Sequence, residues 1–120
     1  MGGPPPALRG YWRIIEMEAW EDDDLDAAGP AHVVLDPDGL GEFRFCRLEG
    51  WFDASGREPA LSFTWEGQEG ASKRTGRGKL HLDAKGRLTG RFVIDQGESS
   101  AFTAVKSQAP GRRPGSGPLR

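Results

Sequence analysis

Apolar and polar residues alternate along most of the chain between Gly10 and Lys106, in short runs separated by turn residues. Successive side chains of a β-strand point to opposite faces, so this alternation is typical of strands with one buried face. The pattern predicts no long helix. It predicts seven strands, at residues 11–19, 31–36, 41–52, 60–66, 75–83, 88–95 and 100–106.

The inward side of each predicted strand follows from taking every second residue. Outward neighbours such as Ser62, Lys79 and Arg91 are polar, whereas the inward positions are apolar and mostly large. The predicted core consists of Val33, Leu35, Phe43, Phe45, Leu61, Phe63, Trp65, Leu80, Leu82, Leu88, Phe92, Ile94, Phe102 and Ala104.

Short turns connect the predicted strands, at residues 36–39, 54–56, 83–86 and 96–97. Connections of this length place consecutive strands side by side and antiparallel. Their edges are satisfied most simply if the sheet closes on itself. We therefore predict an all-β fold, a single antiparallel up-and-down meander of about seven strands forming a small closed or nearly closed barrel. A two-sheet sandwich is the alternative.

The length of 120 residues predicts one domain. Residues 1–9 and 108–120 are rich in Pro and Gly and offer little to bury, so we predict disordered tails on either side of a barrel domain at residues 10–107. The segment between Gly10 and Lys106 holds all 18 acidic residues and 12 of the 16 Lys and Arg, a net charge of −6. An acidic body disfavours nucleic acid as a partner.

The location is predicted from what the chain lacks. No apolar stretch has the length of a signal peptide core or a membrane span, so neither secretion nor membrane insertion is expected. Cys46 is the only cysteine and cannot form an intramolecular disulfide, which favours a reducing cytoplasm.

An acidic segment at residues 20–28 interrupts the strand pattern and predicts a loop or a single helical turn that caps one barrel end. Asp22, Asp24 and Asp26 alternate as in a calcium-binding EF-hand loop, but Ala27 and Val33 occupy positions that need glycine and glutamate. A solvated acidic loop is the better interpretation. We expect no metal and no cofactor.

Other candidate chemistry is sparse. His32, His81 and Cys46 are too few and too scattered for a zinc site. Glu16 and Glu18 point to one side of the first strand and could act as a general acid and base. Glycines such as Gly76 and Gly78 lack the context of a phosphate loop and are interpreted as bulges or bends.

The four tryptophans are the most informative residues. Trp12 and Trp65 fit inward positions and are predicted to lie in the core. Trp20 and Trp51 lie at strand ends, where half-exposed aromatics either line a pocket mouth or partner surface, or plug the barrel ends.

Two resemblances add to this picture. Gly10-Tyr11-Trp12 resembles the entry to the first strand of the calycins, the lipocalins, avidins and fatty-acid-binding proteins, whose barrels hold an apolar ligand. The folded part also resembles a widespread family of small uncharacterised bacterial proteins. Cys46, where glycine is expected, and the less acidic loop at residues 68–71 depart from that family. The matching residues are 12–17, 20–26, 29–31, 41–45, 63–67, 76–78 and 99–104.

The first functional hypothesis is a noncatalytic module that binds an unknown small molecule or protein at one barrel end, with no catalytic residues. The alternatives are a small hydrolase-like enzyme using an acidic pair, and a purely structural or self-associating protein. The predicted binding residues are Trp20, Asp22, Asp23, Asp24 and Asp26, with Trp65 and Glu66 nearby.

Overall fold

The computed structural model describes residues 6–54 and 60–108 and is a closed antiparallel barrel. Each strand pairs with the next along the chain, and the last pairs with the first. The predicted all-β up-and-down barrel is thereby confirmed, with eight strands in the described residues. The strands are β1 (Gly10–Met17), β2 (His32–Leu35), β3 (Leu40–Phe45), β4 (Leu48–Asp53), β5 (Leu61–Glu69), β6 (Ser72–Leu82), β7 (Leu88–Ile94) and β8 (Ser99–Lys106); a short helix α1 (Asp22–Leu25) follows β1, and a 3-10 turn (Pro6–Leu8) precedes it.

The extra strand arises because residues 41–52 form two strands instead of the single one predicted. The chain turns at Cys46-Arg47, where Cys46 adopts a left-handed φ of 56°. Neither residue is a typical turn former, so the turn signal is missing. The apolar positions do indicate a break between two strands. The buried residues have odd numbers at Phe43 and Phe45 and even numbers at Leu48 and Phe52, so the alternation changes phase between them.

The predicted core is confirmed, with Leu82 and Ile94 only partly buried against it. Aromatic rings meet at its centre. The ring of Phe43 lies with its centroid 4.5 Å from that of Phe92 and 5.1 Å from that of Trp65. Phe52 stacks on Phe63 at 4.1 Å. Side chains therefore fill the middle of this barrel, as expected for a barrel of eight strands.

Gly76 and Gly78 make room for this aromatic core, and they form no bulge because the pairing of β6 runs without a register shift. Gly76 pairs with Trp65 and Gly78 with Phe63. A Cβ at Gly76 would lie 2.7 Å from the Trp65 ring, and one at Gly78 would lie 2.8 Å from the Phe63 ring. Only glycine leaves the space that these rings occupy.

Each end of the barrel is closed by a short element. Pro6–Leu8 lies in the segment predicted to be disordered, yet Leu8 is buried and its carbonyl accepts a hydrogen bond from Trp12 Nε1 at 2.9 Å. The other tail residues, 1–5 and 109–120, lie outside the described part of the chain. At the opposite end, α1 inserts Leu25 into the core. None of the helices in residues 6–54 and 60–108 is long and apolar enough to cross a bilayer.

Candidate functional site

The acidic end predicted as a binding site is built on α1. Asp22, Asp23 and Asp24 form its first turn and are exposed. Trp20 is partly buried and packs on Phe45, with the ring centroids 5.4 Å apart. The structure thus brings Trp20 and these carboxylates to one barrel end, where the indole also covers the core.

Asp26 is engaged by the fold. Its Oδ1 accepts hydrogen bonds from Arg13 Nη1 at 2.9 Å and from the backbone N–H of Ala31 at 2.8 Å. The hydrogen bond from Arg13 is the main reason why the pKa of Asp26 is lowered, so the carboxylate stays charged. This residue ties the connection after α1 to β1.

Trp65 and Glu66 lie apart from that end. Trp65 is only 3% exposed, points into the barrel and meets Phe43 edge to face. It reaches Trp20 only through the rings of Phe43 and Phe45. Glu66 is exposed on the opposite face of the same strand. The seven predicted residues therefore do not form one site.

Glu66 instead lines a trough on the outer wall of the barrel, which we call the Trp51 trough. The name covers two adjoining concavities of about 570 and 270 Å³, which share the lining residues Leu40 and Trp51. Both shared residues are half exposed, Leu40 at 51% and Trp51 at 48%. The full lining is Val34, Asp36, Leu40, Gly41, Glu42, Trp51, Phe52, Asp53, Thr64, Trp65, Glu66, Thr75, Gly76 and Asp95.

Among residues 6–54 and 60–108, the charged residues that line the Trp51 trough are all acidic. This part of the lining contains no Lys, Arg or His, and its five carboxylates belong to Asp36, Glu42, Asp53, Glu66 and Asp95. Their repulsion favours a cation in or beside the trough. Part of this excess is visible in the sequence, because β4 and β5 contain Asp and Glu but no Lys or Arg.

Strand register fixes the surroundings of Trp51. In the ladders of β4, Trp51 pairs with Glu42 of β3 on one side and with Glu66 of β5 on the other. Directly opposed residues have Cβ atoms about 5 Å apart, so both carboxylates flank the indole. Within the described residues, the Glu66 carboxylate forms no hydrogen bond or ion pair, whereas Glu42 Oε2 lies 3.9 Å from His32 Nε2.

A second concavity of about 580 Å³ adjoins the Trp51 trough and shares Asp53 and Thr64 with it. This one is basic, because Arg77, Lys79 and Arg91 line it. Arg91 is already bonded to Ser99 and Glu18. The outer wall thus changes from acidic to basic along β5 and β6, from the level of Glu66 to the level of Lys79.

The other candidates stay separate from these concavities. Glu16 and Glu18 are both exposed, and Glu18 accepts hydrogen bonds from Arg91 and from the N–H of Ala101. Burial raises the pKa of the Cys46 thiol, which keeps it protonated and weakly nucleophilic. Among residues 6–54 and 60–108, no three His, Cys, Asp or Glu side chains converge as a metal-binding group.

Sequence reasoning identified Trp51 as half exposed, which the structure confirms, but it placed Trp51 at a strand end and did not assign it to the site. The structure places Trp51 on the outer wall within β4, where it pairs with both neighbouring strands. It also missed Leu40, which lies between the predicted turn at residues 36–39 and the predicted strand at residues 41–52. The sequence does contain a signal for an outward Trp51. Trp51 and Phe52 are adjacent in one strand and must therefore lie on opposite faces of the sheet, so only one of them can point into the core.

Comparison with protein-family models, curated proteins and solved structures finds no match for this chain. The resemblance to calycins and to small bacterial proteins therefore stays a prediction.

Proposed function

We propose that this chain is a noncatalytic binding module that engages its partner through the outer wall of the barrel, at the Trp51 trough. The observation that carries the proposal is the contrast between a filled interior and an exposed tryptophan. Phe43 and its neighbours occupy the space in which a calycin-like barrel would hold a ligand. Trp51, by contrast, is 48% exposed in a concave surface. Exposed tryptophans in concave surfaces are typical of binding sites.

Two further observations support a noncatalytic role over an enzyme with an acidic pair. Glu16 and Glu18 are exposed on β1 and just beyond it, and Glu18 serves as a structural hydrogen-bond acceptor. The protonated Cys46 thiol is not a prepared nucleophile. A free, partly buried thiol also supports the cytoplasmic setting that we propose for this module.

The proposal is tested by placing a photoreactive benzoylphenylalanine at position 51 of the full-length protein, in cells that express it. The matched control carries the same group at Ile15, which is 44% exposed on the outer wall of β1. We expect a discrete adduct, either a protein band or a small-molecule mass increment, from position 51 and none from position 15. Equal labelling at both positions, or none at either, would contradict a binding role for the trough.

A further inference from the structure

The Trp51 trough combines an exposed indole with an acidic lining that is only partly compensated. Several acidic residues elsewhere on the surface are held by arginines, as Asp26 is by Arg13 and Glu49 is by Arg44. In the trough, Asp53 and Glu66 form no ion pair with any described residue, and none of the described lining residues is Lys, Arg or His. A cationic partner would relieve this repulsion and meet a surface of opposite charge.

The position of Trp51 adds geometry to this charge. A cation over the face of an indole is attracted by the ring, most often as the guanidinium of arginine. Here Glu42 and Glu66 flank the indole in the two neighbouring strands. A planar guanidinium stacked on Trp51 could donate paired hydrogen bonds to such a carboxylate, which a lysine ammonium cannot match.

Leu40 extends the surface beyond the indole. It is 51% exposed and shares both parts of the trough with Trp51. An apolar side chain at this place suits the methylene stem of an arginine or a neighbouring apolar residue of the partner. The trough therefore offers apolar, aromatic and anionic contacts.

We propose that the Trp51 trough binds an arginine-containing basic segment of a partner protein. The inference rests on the binding role proposed above and specifies the partner's chemistry. A second copy of this chain docked trough to trough is a poorer occupant, because this arrangement would bring two acidic linings together. An anionic ligand would suit the neighbouring basic concavity with Arg77 and Lys79 instead.

The test is the binding of fluorescently labelled octa-arginine to the full-length protein, followed by anisotropy at fixed ionic strength. We expect Trp51→Ala to weaken binding by about 3- to 10-fold, the range of a partly exposed cation–π contact. The double variant Glu42→Gln/Glu66→Gln should weaken it by about fivefold. Octa-lysine should bind the native protein more weakly than octa-arginine does.

The matched control is Asp22→Asn/Asp23→Asn, which removes the same charge at the α1 end, and it should change the affinity by less than about twofold. An equal loss in this control, unchanged binding in Trp51→Ala or equal affinity for octa-lysine would overturn the inference. So would tighter binding by Arg112→Gln/Arg113→Gln, because the chain's own arginines would then be the occupant. A neutral or acidic partner captured by the crosslinker at position 51 would refute the basic segment but leave the binding role intact.

Discussion

Two regions of the surface bring a tryptophan together with carboxylates, and they differ in how far the fold already uses these groups. At the α1 end, Trp20 packs on Phe45 and Asp26 is held by Arg13. In the Trp51 trough, the indole is half exposed, and the Glu66 carboxylate has no hydrogen-bond or ion-pair partner among the described residues. The same residue types therefore stabilise a barrel end in one region and remain exposed to a binding partner in the other.

The difference follows from position in the barrel. The connection after β1 must close a barrel end, so its apolar residues fold back onto the core, as Leu25 does. The Leu25 carbonyl also accepts a hydrogen bond from Cys46 N at 2.8 Å, which fixes α1 to the turn between β3 and β4. Trp51 lies on the wall instead, at an outward position next to the buried Phe52. Nothing in the fold requires its side chain to be covered.

The largest expected difference concerns the two leucines of these regions. Leu25→Ala removes a side chain that is 2% exposed, and we expect it to lower the free energy of unfolding by about 2–5 kcal/mol. Leu40→Ala removes one that is 51% exposed and should change it by less than about 0.5 kcal/mol. Chemical denaturation followed by circular dichroism measures both. Similar losses in the two variants would mean that Leu40 is part of the core and the trough is not a free surface.

The two tryptophans give a smaller contrast in the same assay. Trp20 is partly buried against Phe45, so Trp20→Ala should lower the free energy of unfolding by about 1–2 kcal/mol. Trp51→Ala should lower it by less than about 0.5 kcal/mol. If Trp20→Ala leaves stability unchanged but abolishes partner binding, the site lies at the α1 end and the trough assignment is wrong.

Most of the fold could be predicted from the sequence because alternation reports burial directly. Phe43, Phe63 and Phe92 lie inward as predicted, and the turns ending at Gly39 and Gly86 have the expected positive φ. The turn at Cys46 could not be predicted from residue type, since the left-handed φ there falls on a residue that rarely adopts it.

The candidate site was harder to predict because it depends on register between strands. The sequence shows that Trp51 and Glu66 are outward residues, but 15 positions separate them along the chain. Only the pairing of β4 with β5 brings them together. By contrast, the acidic residues Asp22, Asp23 and Asp24 are adjacent in the sequence and are easily recognised there. The predicted site was therefore placed at the α1 end, where Trp20 already packs on the core and Asp26 is already hydrogen-bonded.

The smallest expected effect is the pH dependence that Asp26 contributes. Its pKa is lowered in the folded state, chiefly by Arg13, so its stabilisation is complete above the unfolded pKa of about 4 and is lost as pH falls through the folded pKa. Because both side chains are partly exposed, solvent screening keeps the effect small. Asp26→Asn should therefore be less stable than the native protein at about pH 6 and approach it in stability towards about pH 2.

Arg13→Gln should flatten the same part of the profile of stability against pH, and the double variant should flatten it no further. Urea denaturation across this pH range measures all four proteins, and additive changes in the double variant would show that Asp26 and Arg13 act independently.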